Sequence, residues 1–355
     1  MKSYNLAFLG FGNVGHALVQ LLQSKRAELR EKYGVEFALT GVASRRLGWH
    51  ANAAGFPASE LLQGGSGLQT PTAAFRAAGA GAAGDVLRPL QDWLAACRAD
   101  VLFENTSLDP HTGQPAIDYI RTALRAKVHV VTANKGPVVY AYQELRDLAA
   151  ANGVRFLFEA AVMGGAPIFS LFREALPAAR LERFRGILNS TTNLILTEME
   201  RGNSFEAAVK KAQDLGIAET DPSFDVDGWD ATVKVSALAT VLMDYPLRPN
   251  DIAREGIRGL TMEAVQAAAM MGRPYKLVCQ AERKSDGTVV GSVRPEQVPH
   301  DEPLAGCDGA TSIILFQMDV IHGLTVSEIH PDAVTTAYGP LADFVAIARG
   351  EQARG

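Results

Sequence analysis

Asn5-Leu6-Ala7-Phe8-Leu9 runs directly into Gly10-Phe11-Gly12-Asn13-Val14-Gly15, and from residue 14 to residue 30 the apolar positions Ala17, Leu18, Leu21 and Leu22 recur at helical spacing. A short apolar strand, a GxGxxG turn and an amphipathic helix, in that order, form the context that a dinucleotide fingerprint requires. The glycines permit a tight turn, close approach of backbone N–H groups to a pyrophosphate, and close packing of helix on strand; the helix N-terminus favours the negative charge. This stretch places the start of the chain in an α/β domain. Gly10, Gly12, Asn13, Val14 and Gly15 become candidate cofactor residues.

Residues 37–43 read as the next strand. A carboxylate at its end would bind the ribose 2′-hydroxyl of NAD, but Ser44-Arg45-Arg46 stands there, a hydroxyl and two guanidiniums suited to a 2′-phosphate. NADP, or dual use of NADP and NAD, is therefore expected, with Arg45 and Arg46 at the phosphate. The plainer alternative is a pair of solvated loop arginines.

Residues 47–85 are rich in glycine and alanine and read as a surface excursion. Helix 90–98, strand 100–104, helix 116–125, strand 128–131 and helix 141–151 then continue the βα alternation of a parallel sheet. Ligands collect at the carboxyl edge of such a sheet, so the strand exits matter. Asn105-Thr106-Ser107 follows one strand, and Thr132-Ala133-Asn134-Lys135-Gly136-Pro137 follows the next. A merely structural lysine is more often out on a helix face, which singles out Lys135. His129, alternating within an apolar strand, reads as a packed core imidazole with no catalytic role.

Residues 155–158 open a second lobe. The following Glu159-Ala160-Ala161-Val162-Met163-Gly164-Gly165-Ala166-Pro167 is either a tight turn or a holder for a hard monovalent cation, through one carboxylate and backbone carbonyls. Strand 184–188, Asn189-Ser190-Thr191-Thr192-Asn193, helix 194–200 and helix 205–214 lead to the densest acidic stretch, 212–234, AQDLGIAETDPSFDVDGWDATVK.

Its carboxylates Asp214, Glu219, Asp221, Asp225, Asp227 and Asp230 surround Pro222 and Gly228, so most sit on loop backbone. Asp230 opens an apolar helix, 231–243, with Lys234 one turn on and on the same face. Pair spacing alone fits a solvated surface pair. A calcium loop fails in register: aligning Gly228 with the required glycine puts Ser223 at the first position and Lys234 at the closing one. The stretch suits a pocket with excess negative charge and one ammonium, for a small substrate carrying an ammonium of its own.

Beyond residue 244, segments 265–272, 277–283, 287–293 and 312–319 suggest mixed helix and antiparallel strand, with a hairpin turn at Asp286-Gly287. They point to a substrate and dimerisation domain. Thr335-Thr336-Ala337-Tyr338-Gly339-Pro340 reads as a turn into helix 341–349. The expected division is 1–155, rejoined by 335–355, for dinucleotide binding, and 156–334 for the rest.

Over the whole 355 residues, 47% hydrophobic content without a bilayer-length apolar run fits a soluble protein of two lobes. The net charge of −5, with both signs interspersed, gives no footprint for nucleic acid, and no membrane partner is expected. Three scattered cysteines, Cys97, Cys279 and Cys307, and an N-terminus that runs straight into a strand point to the cytoplasm.

The pattern AxxxGxAExDPxxDxxGxDxxxK, matched from Ala212 through Lys234, resembles the signature of homoserine dehydrogenases. TANKGP at 132–137 is similar to that family's strand-end lysine motif, and the segment through Asn189 and Asn193 resembles its GxxNGTxNYI. The resemblance implies an α/β protein: an N-terminal Rossmann-type dinucleotide-binding domain with a second, α+β substrate and dimerisation domain. The implied reaction is the reversible NAD(P)-dependent reduction of L-aspartate 4-semialdehyde to L-homoserine by a homodimer without an appended amino-acid-sensing domain.

It also implies roles. Lys135 and Lys234 become the catalytic ammonium groups, and Glu219, Asp225 and Asp230 bind the substrate's α-ammonium. Thr106, Ser107 and Asn134 fall beside the nicotinamide half of the cofactor, and Glu159, Val162, Gly164 and Ala166 surround a sodium or potassium ion. Three positions depart from the family. Met163 replaces a usual glycine and would crowd the ion, Ser190 replaces a glycine and would be strained at a left-handed position, and only Gly339 and its neighbouring proline match the C-terminal glycine-rich turn. Another amino-acid or semialdehyde reductase on the same scaffold, or a non-catalytic NADP-binding sensor, is the alternative.

Overall fold

β1 (Lys2–Leu9), β2 (Val35–Ser44), β3 (Gly48–Ala51), β4 (Val101–Glu104), β5 (His129–Thr132) and β6 (Phe156–Leu157) form one sheet in the order β3-β2-β1-β4-β5-β6. Every pairing is parallel except β2 with β3, a hairpin in which Gly41 faces Ala51 and Ser44 faces Gly48. This is a Rossmann-type order, with the reversal of strand sequence between β1 and β4, where such sheets bind nucleotides. The computed structural model describes residues 1–63 and 87–352, and the chain divides into two units, one of residues 1–165 with the segment from Asp332 onward, the other of residues 166–331.

The central strands are apolar on both faces, as expected for a parallel sheet covered on both sides. Leu6, Ala7 and Phe8 of β1 and all four residues of β4 are fully buried. Phe344, from the helix Ala333–Gln352, stands edge-on to Tyr4 at 5.4 Å and to Phe103 at 6.3 Å, and Leu341, Ile347 and Ala348 join the same core. His129 is buried, and its Nδ1 accepts the Arg155 N–H at 3.0 Å, the packed role expected of it.

Some boundaries differ from the sequence expectation. The helix after the glycine turn is two, Asn13–Ser24 and Arg26–Tyr33, broken at Lys25 (φ −97°, ψ 3°). The helix expected at 141–151 is Lys135–Ala151, with a kink at Ala141 (φ −141°, ψ 16°). Within 47–85 lie β3 and a short helix, Ala58–Leu62; residues 64–85 of that stretch are outside the described residues.

At the C-terminus, 335–340 is helix rather than turn, part of Ala333–Gln352. Asp332 starts it: its Oδ1 accepts the Thr335 N–H at 2.7 Å and the Thr335 hydroxyl at 2.8 Å. The glycine there serves packing, since a Cβ on Gly339 would lie 2.4 Å from the Gly164 carbonyl oxygen.

In the second unit β7 (Leu181–Ile187), β8 (Ala253–Arg254), β9 (Tyr275–Arg283), β10 (Val289–Gln297), β11 (Ser312–Met318) and β12 (Leu324–Glu328) stand in the order β12-β11-β7-β9-β10-β8. All pairs are antiparallel except β8 with β10. The hairpin between β9 and β10 turns at Asp286-Gly287 as expected, with Gly287 at φ 87° and Asp286 Oδ1 accepting the Thr288 N–H at 2.9 Å. The helix Trp229–Leu242 packs on β9 and β10. Among the described residues no helix is long and apolar enough to cross a membrane.

Candidate active site

The end of β1 is a backbone cradle. Gly10 has φ +86°, its N–H donates to the Ala43 carbonyl at 2.8 Å, and an added Cβ would sit 2.4 Å from the Asn105 carbonyl oxygen, so only glycine fits. Gly12 precedes the helix Asn13–Ser24 as its cap, with no side chain satisfying the first N–H groups, and the space over its Cα is open. Gly15 packs against the Phe11 ring, where a Cβ would come within 3.1 Å. Exposed helix N–H groups beside open space are what a pyrophosphate requires. Val14 is half-buried and Asn13 exposed.

Arg45 and Arg46 lie exposed in the turn between β2 and β3, where the Ser44 hydroxyl accepts the Leu47 N–H at 3.0 Å. Among the described residues neither guanidinium pairs with a carboxylate, which leaves both for an outside anion.

At the exits of β4 and β5, hydrogen bonds join two turns. Glu104, fully buried at the last position of β4, accepts the Thr106 N–H at 2.8 Å, the Thr106 hydroxyl, and the Thr132 hydroxyl at 2.7 Å. Thr132 Oγ1 in turn accepts the Asn134 N–H at 2.9 Å. Asn134 caps the helix Lys135–Ala151 by accepting the Gly136 N–H at 3.0 Å, and its amide donates to the Thr106 carbonyl at 3.3 Å. Burial raises the Glu104 pKa against the lowering effect of these bonds. Lys135 is half-buried, and Ser107 is exposed. Both polar atoms of the Asn105 side chain are buried without a hydrogen-bond partner, beside the strand reversal where a nucleotide would lie.

In the second unit, Lys234 Nζ lies 2.9 Å from Asp230 Oδ2 and donates to the Leu188 carbonyl at 2.6 Å. The Asn189 amide nitrogen bridges two carboxylates, donating to Asp225 Oδ1 at 2.7 Å and Asp230 Oδ2 at 3.0 Å. Its own Oδ1 accepts the Thr192 N–H at 2.8 Å and caps the helix Ser190–Glu200. Gly228, at φ +79°, makes the left-handed turn that starts the helix carrying Asp230 and Lys234.

The electrostatics follow from that geometry. Burial lowers the Lys234 pKa, but Asp230 and then Asp225 outweigh it, and the net shift is upward. Burial and the neighbouring Asp230 charge raise Asp225, against the Asn189 hydrogen bond. Two carboxylates thus share one ammonium. Cys279, fully buried and near Lys234, has its thiol pushed up to about 12 by burial and stays neutral.

The other acidic residues of the stretch serve the scaffold. Asp214 pairs with Lys210, Asp227 with Arg258, and Asp221 accepts the Ser223 N–H at 3.0 Å. Glu219 is exposed, and its carboxylate makes no hydrogen bond or ion pair among the described residues.

Glu159, 2% exposed, opens a 3₁₀ turn, and its N–H donates to Asp343 Oδ2 at 2.8 Å. Val162, Met163 and Ala166 are buried, and Gly164 has φ +20°. Ser190 is not left-handed: it is the first helical residue after Asn189, so the strain expected of a serine there is absent. Asn189 and Glu104 escaped the sequence reading as site residues, although an acidic residue closing the apolar strand VLFE was a visible signal.

Family models match both parts of the chain: homoserine dehydrogenase, NAD binding domain, over residues 10–159, and homoserine dehydrogenase over residues 167–345. The chain belongs to the homoserine dehydrogenase family. The NAD(+)-dependent homoserine dehydrogenase of Pseudomonas canavaninivorans is 36% identical to it over 348 residues, 98% of this chain and 97% of that protein. The solved homoserine dehydrogenase of Thiobacillus denitrificans shares the fold with a TM-score of 0.81 at 32% identity, over 99% of this chain and 75% of that one. A hyperthermophilic archaeal homoserine dehydrogenase in complex with NADPH gives 0.77 at 26% identity, over 98% of each chain.

A homoserine dehydrogenase is an NAD(P)-dependent oxidoreductase. The glycine cradle fits the nucleotide half of that chemistry.

Proposed function

We propose that this homoserine dehydrogenase interconverts L-aspartate 4-semialdehyde and L-homoserine with Asp225 and Asp230 holding the substrate's ammonium and Lys234 acting on its oxygen. The observation that carries the reading is the shared ammonium: Lys234 is bonded to Asp230 at 2.9 Å, while Asp225, through Asn189, adds a second carboxylate that no other cation balances among the described residues. A substrate α-ammonium supplies that missing positive charge. Glu219, exposed nearby in sequence, is assigned a further contact to it.

A bound nicotinamide cofactor would supply or accept the hydride. Gly10, Gly12, Asn13, Val14 and Gly15 would hold its pyrophosphate, and Thr106, Ser107 and Asn134 its nicotinamide half. Arg45 and Arg46 would take a 2′-phosphate, which favours NADP, with NAD as a second substrate. The Pseudomonas canavaninivorans relative is named for NAD(+), so the preference is open to test.

Lys234 uses two of its three N–H donors within the protein, and the third is directed to an alkoxide that forms as the aldehyde is reduced. Kept charged by the two carboxylates, it both stabilises and protonates that oxygen. Lys135, at the edge of the first sheet, is assigned the same proton handling. The carboxylate of Glu159 and the carbonyls of Val162, Gly164 and Ala166 are assigned to a sodium or potassium ion. Homodimeric assembly and a cytoplasmic location complete the reading.

The test is homoserine-dependent reduction of NAD and of NADP by the purified protein, each with and without potassium. Turnover with homoserine, a lower KM for NADP than for NAD, and stimulation by potassium are expected. Absence of turnover with either cofactor would overturn the reading.

A further inference from the structure

We propose that Glu104 is a positioning residue that holds Lys135 in its working place, an inference that rests on the assignment of Lys135 to proton handling. The chain of contacts is continuous. Glu104 Oε2 accepts the Thr132 hydroxyl, Thr132 Oγ1 accepts the Asn134 N–H, and Asn134 Oδ1 accepts the Gly136 N–H, so the backbone is held on both sides of Lys135. Glu104 Oε1 holds the neighbouring turn through the Thr106 N–H and hydroxyl, and the Asn134 amide closes the loop on the Thr106 carbonyl.

The chemistry of Glu104 is what a mere fastening between turns does not require. It is 0% exposed and has no cation partner among the described residues. Burying a carboxylate without a counter-charge is costly, and a neutral side chain could tie two strands together at less cost. The Thr106 N–H and the Thr106 and Thr132 hydroxyls all bond to the two Glu104 oxygens, and the Asn134 side chain faces them as well, so one carboxyl group ties both turns together. A glutamine would turn its NH₂ toward a threonine hydroxyl, displace that proton and loosen the Asn134 turn. Since a catalytic group misplaced by about 1 Å can lose on the order of 10²-fold in rate, a small shift at Asn134 is enough to matter.

The test is a double-mutant cycle on kcat for homoserine oxidation, with Glu104→Gln, Lys135→Ala and the pair, each checked for folding by thermal melting. Glu104→Gln is expected to lower kcat by about 10- to 100-fold while the homoserine KM stays within about twofold. In the Lys135→Ala background, at saturating cofactor, the same change is expected to cost less than about twofold more in kcat, because the lysine it positions is gone and any loosening of Thr106 and Asn134 is read in the cofactor KM. Glu104→Asp should recover part of the rate lost in Glu104→Gln. Thr132→Val cuts the same link without touching Glu104; it carries the same expectations should Glu104→Gln not fold.

Multiplying losses in the double variant, or a lowered melting point with unchanged kcat in Glu104→Gln, would overturn the inference. Wild-type turnover in Lys135→Ala alone would instead remove the assignment of Lys135 on which it rests.

Discussion

Lys234 Nζ sits 2.9 Å from Asp230 Oδ2 on the same helix, and the Asn189 amide ties Asp230 to Asp225, so one ammonium answers two carboxylates. With Lys234 as the proposed proton donor and acceptor, its upward shift sets the pH dependence of the reaction. Homoserine oxidation needs the neutral amine, whose fraction grows about tenfold per pH unit below the lysine's pKa. The kcat for oxidation should therefore climb steadily toward alkaline pH, while semialdehyde reduction stays flat across neutral pH. A profile of kcat against pH in both directions checks this. A plateau in oxidation well below the ordinary lysine range would contradict it.

Asp225 is held above its ordinary pKa by burial and by Asp230. A folded-state pKa above the unfolded value means stability present at low pH and lost as pH rises through the folded value, so ionising Asp225 weakens the fold. Asp225→Asn keeps an oxygen for the Asn189 amide and removes the charge. Its melting temperature at pH 7 should equal or exceed the parent's. Its homoserine KM should rise about 10- to 100-fold, the scale of one lost charge-assisted hydrogen bond. Unchanged KM would remove Asp225 from the substrate site.

Gly10 and Gly12 make a discriminating pair. Gly10→Ala places a Cβ 2.4 Å from the Asn105 carbonyl oxygen at φ +86°, so both stability and cofactor binding should fall. Gly12→Ala adds a methyl to open space. It should leave the melting temperature within about 2 °C and weaken NADPH affinity about tenfold or more, as measured by fluorescence titration. Equal affinity in Gly12→Ala and the parent would contradict the placement of the pyrophosphate there.

The first sheet was legible because its signals are local. The glycine turn, the apolar strands and their βα spacing are each readable over about a dozen residues. The break at Lys25 was not, since helical periodicity continues across it in LQSKRAELR. Gly339-Pro340 misled in the opposite sense: both are helix breakers, and only the closeness of the Gly164 carbonyl explains the glycine within a helix.

For the candidate site, the family signature singled out the segment 212–234, but it does not rank six carboxylates by burial. Arg258, Lys210 and the Ser223 N–H claim three of them through contacts that only folding creates. Asn189 became visible as the bridge only when residues 36 and 41 positions away folded onto it. The two-residue strand β8 and the five-residue edge strand β12 are too short or too exposed to leave a pattern.

The most direct measurement is steady-state homoserine oxidation by Lys234→Met, an uncharged side chain of similar length, beside the parent and with NADPH affinity as a control. Turnover should fall by a factor on the order of 10² or more while NADPH binds with the parent's affinity. Turnover within about threefold of the parent's, with the cofactor bound normally, would show that the ammonium between Asp230 and the Leu188 carbonyl is a strut and not the proton donor.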